Sequence, residues 1–268
     1  MNLADYLRRI GYSGNPRPDL ATLRGIHRAH VEAIPYEDLD VQFGVAVTRL
    51  GPAIYDKIVR RRRGGWCYEM NGLLSWALEA IGFKVKRLAG AVMRESLGDQ
   101  VIGNHLVMLV DLGETWFADA GFGDGLIEPI PLREGPFSIG PLSCRIEEIG
   151  GGWLRYHNDP KGSAPSFDFH PEIGDERLLE RQCRFLQSDA GSPFVQNAVV
   201  QRWRDEVHYS LRGRMLQTLS ADGKATQRIE SADDYVLTLK ETFALDLPEA
   251  ASLWPKICAR HEALFGKA

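Results

Sequence analysis

"CYEMNGLLSWALEAIGFKVKRLAGAV", Cys67 to Val92, changes period in its middle, and that change decides the fold class. Met70, Leu73, Leu74, Ala77, Leu78 and Ile81 follow the i, i+3, i+4 stripe of an amphipathic helix. Gly82 is the expected C-terminal stop. From Lys84 the pattern turns β-rich in "KVKRLAGAVMR" and stays so through "NHLVMLVDL" and "TWFADAG". Everything upstream reads as helix. "NLADYLRRIG" spaces Leu3, Tyr6, Leu7 and Ile10 helically. "DLATLRGIHRAHVEAI" opens on Asp19 as N-cap and ends before Pro35, and "GPAIYDKIVRRRR" is a third helix. Downstream, "GGWLRYHND" and "SFDFHP" are short strands, and "DERLLERQCRFLQSD" returns to helical period. "DEVHYSLRGRMLQTLSADGKATQRIE" reads as a β-meander turning at Arg212-Gly213 and Asp222-Gly223, and helices in "ADDYVLTLKETFAL" and "LWPKICARHEALF" follow. Helices, then strands, then a mixed tail predict an α+β chain with boundaries near residues 83 and 186.

The 268 residues are 44% hydrophobic and 25% charged, as in an ordinary soluble domain, and long enough for a substantial core. A net charge of -4 gives no general attraction to nucleic acid. The run Arg60 to Arg63 is local and reads as a solvated helix face. Cys67, Cys144, Cys183 and Cys258 show no C-x-x-C spacing, which argues against a zinc ribbon or a disulfide framework. The N-terminus has neither the apolar core nor the cleavage site of a signal peptide, and no stretch approaches the ~20 apolar residues of a membrane span. A cytoplasmic location with four free thiols is expected.

Cys67 falls in the first turn of its helix, behind Gly64, Gly65 and Trp66. A helix N-terminus favours a thiolate, because unpaired amides and the macrodipole stabilise an anion. The two glycines are expected to allow a tight turn and leave room beside the sulfur. A nucleophilic cysteine needs a base and a group that orients the base. His27 and His30, at i, i+3 with no third metal ligand, read as ordinary helix histidines; His157, His170, His208 and His261 read as loop or surface residues. His105 differs, because it opens the apolar strand "HLVMLVDL". Asp119 follows on the next strand, before a glycine loop. If a three-residue loop, 112–114, joins the strands, Asp111 faces Thr115 and Asp119 faces Val107. His105 and Asp119 then lie diagonally on one face. A two-residue loop turns Asp119 away.

These residues carry a resemblance. "RGGWCYEMN", "NH" at 104–105 and "DAGFG" at 119–123, with "IPYEDLD" at 34–40, resemble motifs of the arylamine N-acetyltransferases, and "SPFVQNAVVQRW" and "HYSLRGRML" are similar to further stretches of that family. Tyr36 and Asp38 depart from the family's P-F-E-N-L. The resemblance implies a helical domain at 1–83 carrying the nucleophile, a β-barrel at 84–186 carrying histidine and aspartate, and an α/β lid at 187–268. It implies a catalytic triad of Cys67, His105 and Asp119. Acetyl-CoA would be the acyl donor, a cysteine thioester the intermediate, and arylamines, arylhydrazines or N-hydroxyarylamines the acceptors, with a role in xenobiotic metabolism. No metal is expected. The backbone amides of Cys67 and Gly103 would hold the oxyanion; Phe122, Gly123 and Tyr36 would line the substrate pocket; Arg63 would pair with Glu37. A monomer or weak homodimer is expected. An amide synthase of the same fold and a cysteine hydrolase share this chemistry. A polyketide synthase as genomic neighbour would favour the first; failure to exclude water from the acyl-enzyme would favour the second. A binding protein would need no such triad.

Overall fold

The computed structural model describes residues 1–266. Its first third is helical: α1 (Leu3–Ile10), α2 (Leu20–Ala33), a short α3 (Leu39–Gln42), α4 (Gly51–Tyr55) running into a π-turn at Asp56–Arg60, and α5 (Cys67–Ile81). Asn2 and Asp19 cap α1 and α2 by accepting from the amides of Asp5 and Thr22. Gly82, in the left-handed conformation, ends α5. A two-residue strand, β1 (Tyr36–Glu37), interrupts the helices.

The next strands are β2 (Lys84–Val92), β3 (His105–Asp111), β4 (Thr115–Phe117), β5 (Ile130–Pro131), β6 (Gly135–Ile139), β7 (Leu142–Glu148), β8 (Leu154–His157) and β9 (Ser166–Phe169), with a short helix α6 (Arg94–Leu97) after β2. They form one antiparallel eight-stranded sheet in the order β5-β4-β3-β2-β9-β8-β7-β6. Three strands separate β4 from β8, which in a flat sheet is roughly 19 Å. Yet the rings of Phe117 on β4 and Tyr156 on β8 lie 6.3 Å apart, so the sheet curls around an aromatic interior. The free ends of this curled sheet are β5 and β6, and each carries a proline, Pro131 and Pro136, that blunts the edge.

Helices α7 (Glu176–Ser188) and α8 (Pro193–Gln196) lead to β10 (Val199–Arg204), β11 (Val207–Arg212), β12 (Met215–Ser220) and β13 (Gly223–Arg228), then α9 (Ala232–Glu241) and α10 (Trp254–Phe265). The second sheet runs β1-β10-β11-β12-β13, so the strand from the helical third joins the mixed tail directly. A core of Leu39, Val200, Leu211, Tyr235, Leu239 and Phe243 binds α9 to this sheet. Among the described residues no helix is long and apolar enough to cross a membrane. All four cysteines are free thiols.

Candidate active site

Strand register puts the polar residues together. Asp111 pairs with Thr115 and Leu109 with Phe117, and the Ala118 amide extends the ladder to the Met108 carbonyl. The loop therefore has the odd length that keeps Asp119 on the face of His105. Their side chains meet: His105 Nε2 lies 2.6 Å from Asp119 Oδ2, and both residues are buried. The other carboxylate oxygen, Oδ1, accepts from Asn71 Nδ2 and from the Gly121 amide, each at 2.7 Å. Asn71 in turn donates to the Leu106 carbonyl and accepts from the Ala120 amide. One asparagine thus ties α5 to both strands of the hairpin. Sequence reasoning missed it.

Cys67 is the first residue of α5. Its Sγ lies 3.9 Å from the Asn104 carbonyl oxygen, in the residue preceding His105. With Nε2 engaged by Asp119, Nδ1 is the imidazole nitrogen left for the sulfur. Burial acts to lower the pKa of His105, but the Asp119 carboxylate and the neighbouring Cys67 outweigh it and hold the imidazole up at about 10. Burial also opposes ionisation of Asp119, and here too the partners win: His105, Asn71 and the Gly121 amide keep the carboxyl below its usual range.

Two glycine assignments and two side-chain assignments need correction. Gly103 offers no free oxyanion donor, because its amide donates to the Gly90 carbonyl at 2.8 Å. The amides of Cys67 and Tyr68, at the first two positions of α5, are the ones without a backbone partner among the described residues. Gly64 serves close approach rather than space for substrate: a Cβ there would stand 2.1 Å from the Pro35 carbonyl oxygen. His208 is a buried strand residue, its ring 4.8 Å from that of Trp203 across the β10–β11 pair. Of the arginine run, Arg60 to Arg62 are exposed, but Arg63 turns inward.

Arg63 pairs with Glu37 and with Asp40, both at 2.9 Å. Lys57 joins the same cluster, 2.9 Å from Asp40 and from Glu69. Glu69 also reaches back to the Trp66 amide, half of a capping box over the turn that carries Cys67. Burial pushes the Glu69 carboxyl up to about 7 despite Lys57.

Of the residues expected in the pocket, Phe122 lies beside His105. The Phe122 ring lies 5.7 Å from His105 and 4.7 Å from Phe167. Tyr36 is buried, and burial first, then the charge of Cys67, raises its hydroxyl well above the usual range. Gly123 has a φ of +82° and packs on Gln201. Among the described residues no cluster of three histidine, cysteine or carboxylate side chains is placed to hold a metal.

Comparison with known proteins follows the same lines. A family model described as N-acetyltransferase matches residues 19–252. An arylamine N-acetyltransferase of Mycolicibacterium smegmatis is 36% identical, with 94% of each chain covered. The pineal gland isozyme of arylamine N-acetyltransferase from Gallus gallus is 39% identical over 92% of this chain and 95% of its own. The solved M. smegmatis arylamine N-acetyltransferase superposes with a TM-score of 0.87 at 34% identity, covering 97% of this chain and 98% of that one. The Mycobacterium marinum enzyme, solved in complex with CoA, gives 0.84 at 28% identity, with 97% and 98% covered.

Proposed function

The chain belongs to the arylamine N-acetyltransferase family, and we propose that it moves an acetyl group from acetyl-CoA to arylamines, arylhydrazines or N-hydroxyarylamines through a thioester on Cys67. The observation that carries this reading is the buried 2.6 Å contact between His105 and Asp119 beside a helix-start thiol. The CoA complex of the M. marinum relative supports the donor. The Cys67 thiolate attacks the acetyl carbonyl. As the bond to CoA breaks, His105 gives its proton to the departing sulfur. The amine then attacks the thioester carbonyl, the carbon–nitrogen bond forms, Cys67 leaves as thiolate, and His105 takes the proton that nitrogen sheds. Asp119 fixes the tautomer and stabilises imidazolium. The Cys67 amide, free of the helix ladder, is aimed to hold the oxyanion.

Phe122, Tyr36 and Gly123 form the acceptor side of the pocket. The division at residues 83 and 186 fits this chemistry: the helical part brings the nucleophile, the curled sheet the base, and the remainder acts as a lid. Phe194 of α8, its ring 5.1 Å from Trp66, supports that role. We place the enzyme in the cytoplasm, as a monomer or weak homodimer, acting on small foreign amines. The relatives above, from three organisms, all bear the arylamine name, which favours small acceptors over the intramolecular amine of an amide synthase. Intact mass spectrometry tests the reading. Acetyl-CoA alone should add one acetyl group, 4-methylaniline should remove it, and Cys67→Ala should never carry it. A wild-type chain that gains no adduct would overturn the proposal.

A further inference from the structure

The helix that carries the nucleophile grips the chain on both sides of His105. Asn71 of α5 donates to the Leu106 carbonyl at 2.6 Å, one residue after the histidine. Tyr68, next to Cys67, donates its hydroxyl to the Gly103 carbonyl at 2.7 Å, two residues before it. Tyr68 and Asn71 are i, i+3 on α5, so both reach out from one side of the helix. Among the described residues no other hydrogen bond reaches the Gly103 carbonyl. The residue between Gly103 and His105 is Asn104, and its carbonyl oxygen is the atom 3.9 Å from Cys67 Sγ.

The donor is fixed in place. Tyr68 is 1% exposed, its ring 5.3 Å from that of Trp66, with the Arg49 guanidinium 5.8 Å over its face. Burial, then the charge of Cys67, holds the hydroxyl well above its usual range, so it stays a donor. The acceptor segment has other anchors, but they lead elsewhere. The Gly103 amide donates to Gly90, and the Asn104 side chain exchanges two hydrogen bonds with the Val92 backbone, both on β2. Gly103, at a φ of +98°, also touches α7, where a Cβ would stand 2.7 Å from the Leu178 carbonyl oxygen. Of these ties only the Tyr68 hydroxyl joins the segment to the residue beside the nucleophile. We infer that Tyr68 is a positioning residue: through the Gly103 carbonyl its hydroxyl sets the separation of the Cys67 sulfur from His105, and with it the ease with which the imidazole takes the thiol proton. The inference rests on the roles that the acetyl-transfer reading above gives Cys67 and His105. A nucleophile and base displaced by a fraction of an ångström lose rate without losing fold.

The test compares the wild-type chain with Tyr68→Phe, which keeps the ring and removes one oxygen. Tyr68→Met also lacks the donor but fills the space differently, and either variant that folds by circular dichroism suffices. Tyr6→Phe is the control, since it loses a buried hydroxyl contact, to His30, outside this clamp. Two first-order reactions of Cys67 are followed by quenched-flow mass spectrometry with peptide mapping: acetylation over a range of acetyl-CoA, and alkylation by iodoacetamide. Misfolded chains appear as unreactive amplitude and leave the rate constants untouched. Without the Tyr68 hydroxyl, both rate constants should fall ~10-fold, the effect of one hydrogen bond acting wholly on the reacting geometry. The half-saturating acetyl-CoA should stay within about twofold, because binding is not what changes. Tyr6→Phe should keep both wild-type rates. The assignment is overturned if folded Tyr68 variants keep both rates, if acetylation alone slows, or if Tyr6→Phe slows both equally. A wild-type chain that is alkylated but never acetylated would sink the transfer reading, and the alkylation rates would then decide the role of Tyr68 by themselves.

Discussion

Every oxygen of Asp119 is committed: Oδ2 to His105, Oδ1 to Asn71 and the Gly121 amide. A carboxamide fits neither arrangement. If its NH₂ faces His105, the imidazole must take the wrong tautomer; if it faces Asn71 and Gly121, donors oppose donors. Asp119→Asn should therefore lose on the order of 10²-fold or more in kcat, less than the ~10⁴ of a serine triad because sulfur needs less help from a base. Circular dichroism and thermal melting beside the kinetics separate lost chemistry from lost fold; a folded variant of near-normal rate would remove Asp119 from the mechanism. Asn71→Ala leaves the Leu106 carbonyl and the Ala120 amide unpaired, and should cost about 1–3 kcal/mol in urea unfolding along with much of the rate. For the His105–Asp119 pairing the sequence left one count of loop residues open, and the register of β3 and β4 supplies it. Asn71 was not legible, because an asparagine inside an apolar helical stripe carries no period of its own.

The turn that presents Cys67 is held from beneath by Lys57, Arg63, Glu37, Asp40 and Glu69, three acids to two bases. Lys57→Met would leave three buried carboxylates to one guanidinium. Breaking a buried pair from one side costs about 3–5 kcal/mol, so Lys57→Met should show a large fall in urea midpoint. Glu69→Gln should cost much less, because that carboxyl is already held up at about 7 and its amide keeps a hydrogen-bond partner for the Trp66 amide. The opposite order would mean that the cluster's charge balance does not hold the turn. Elements of this size were readable wherever a period ran long, as in α5 and β3. The β10–β11 hairpin escaped because its two-residue turn, Asp205-Glu206, takes positive φ at both positions without the usual glycine or asparagine. Strands β5 and β6 escaped because their prolines read as breaks, whereas at a sheet edge a missing N–H harms no ladder. His208 looked like a surface residue because β10, which sets Trp203 against it, was not read as a strand.

Across the whole molecule the buried titrating groups set how stability responds to pH, and the sign follows from which state binds more protons. Burial lowers His27 to about 4, and burial with the charge of His27 lowers His30. The unfolded chain then binds the extra protons as pH falls below about 6.5, so both groups make the fold weaker there, His27 until about pH 4. Glu69, held up at about 7, and Asp38, raised by burial, act the other way, because there the folded chain binds the extra proton. Below pH 7 these two pairs of groups therefore act against one another. Above pH 7 the balance ends. His105, held at about 10 against an ordinary value of 6.5, keeps a proton that the unfolded chain has lost. Its contribution is fully present below about 6.5 and disappears as pH rises through about 10. His105 should therefore contribute a fall in the free energy of unfolding between pH 7 and 9 of up to about 1.4 kcal/mol per pH unit, the limit for one proton, and the buried thiols of Cys144 and Cys183, also raised in the fold, add to the fall toward pH 9. Urea unfolding at half-unit steps over that range reads the slope directly. In His105→Gln the slope should flatten, whatever the variant's overall stability, because only the proton has been removed from the linkage. A wild-type chain equally stable at pH 7 and 9, or a variant with the same slope, would mean that the imidazole is not held in its charged form by Asp119.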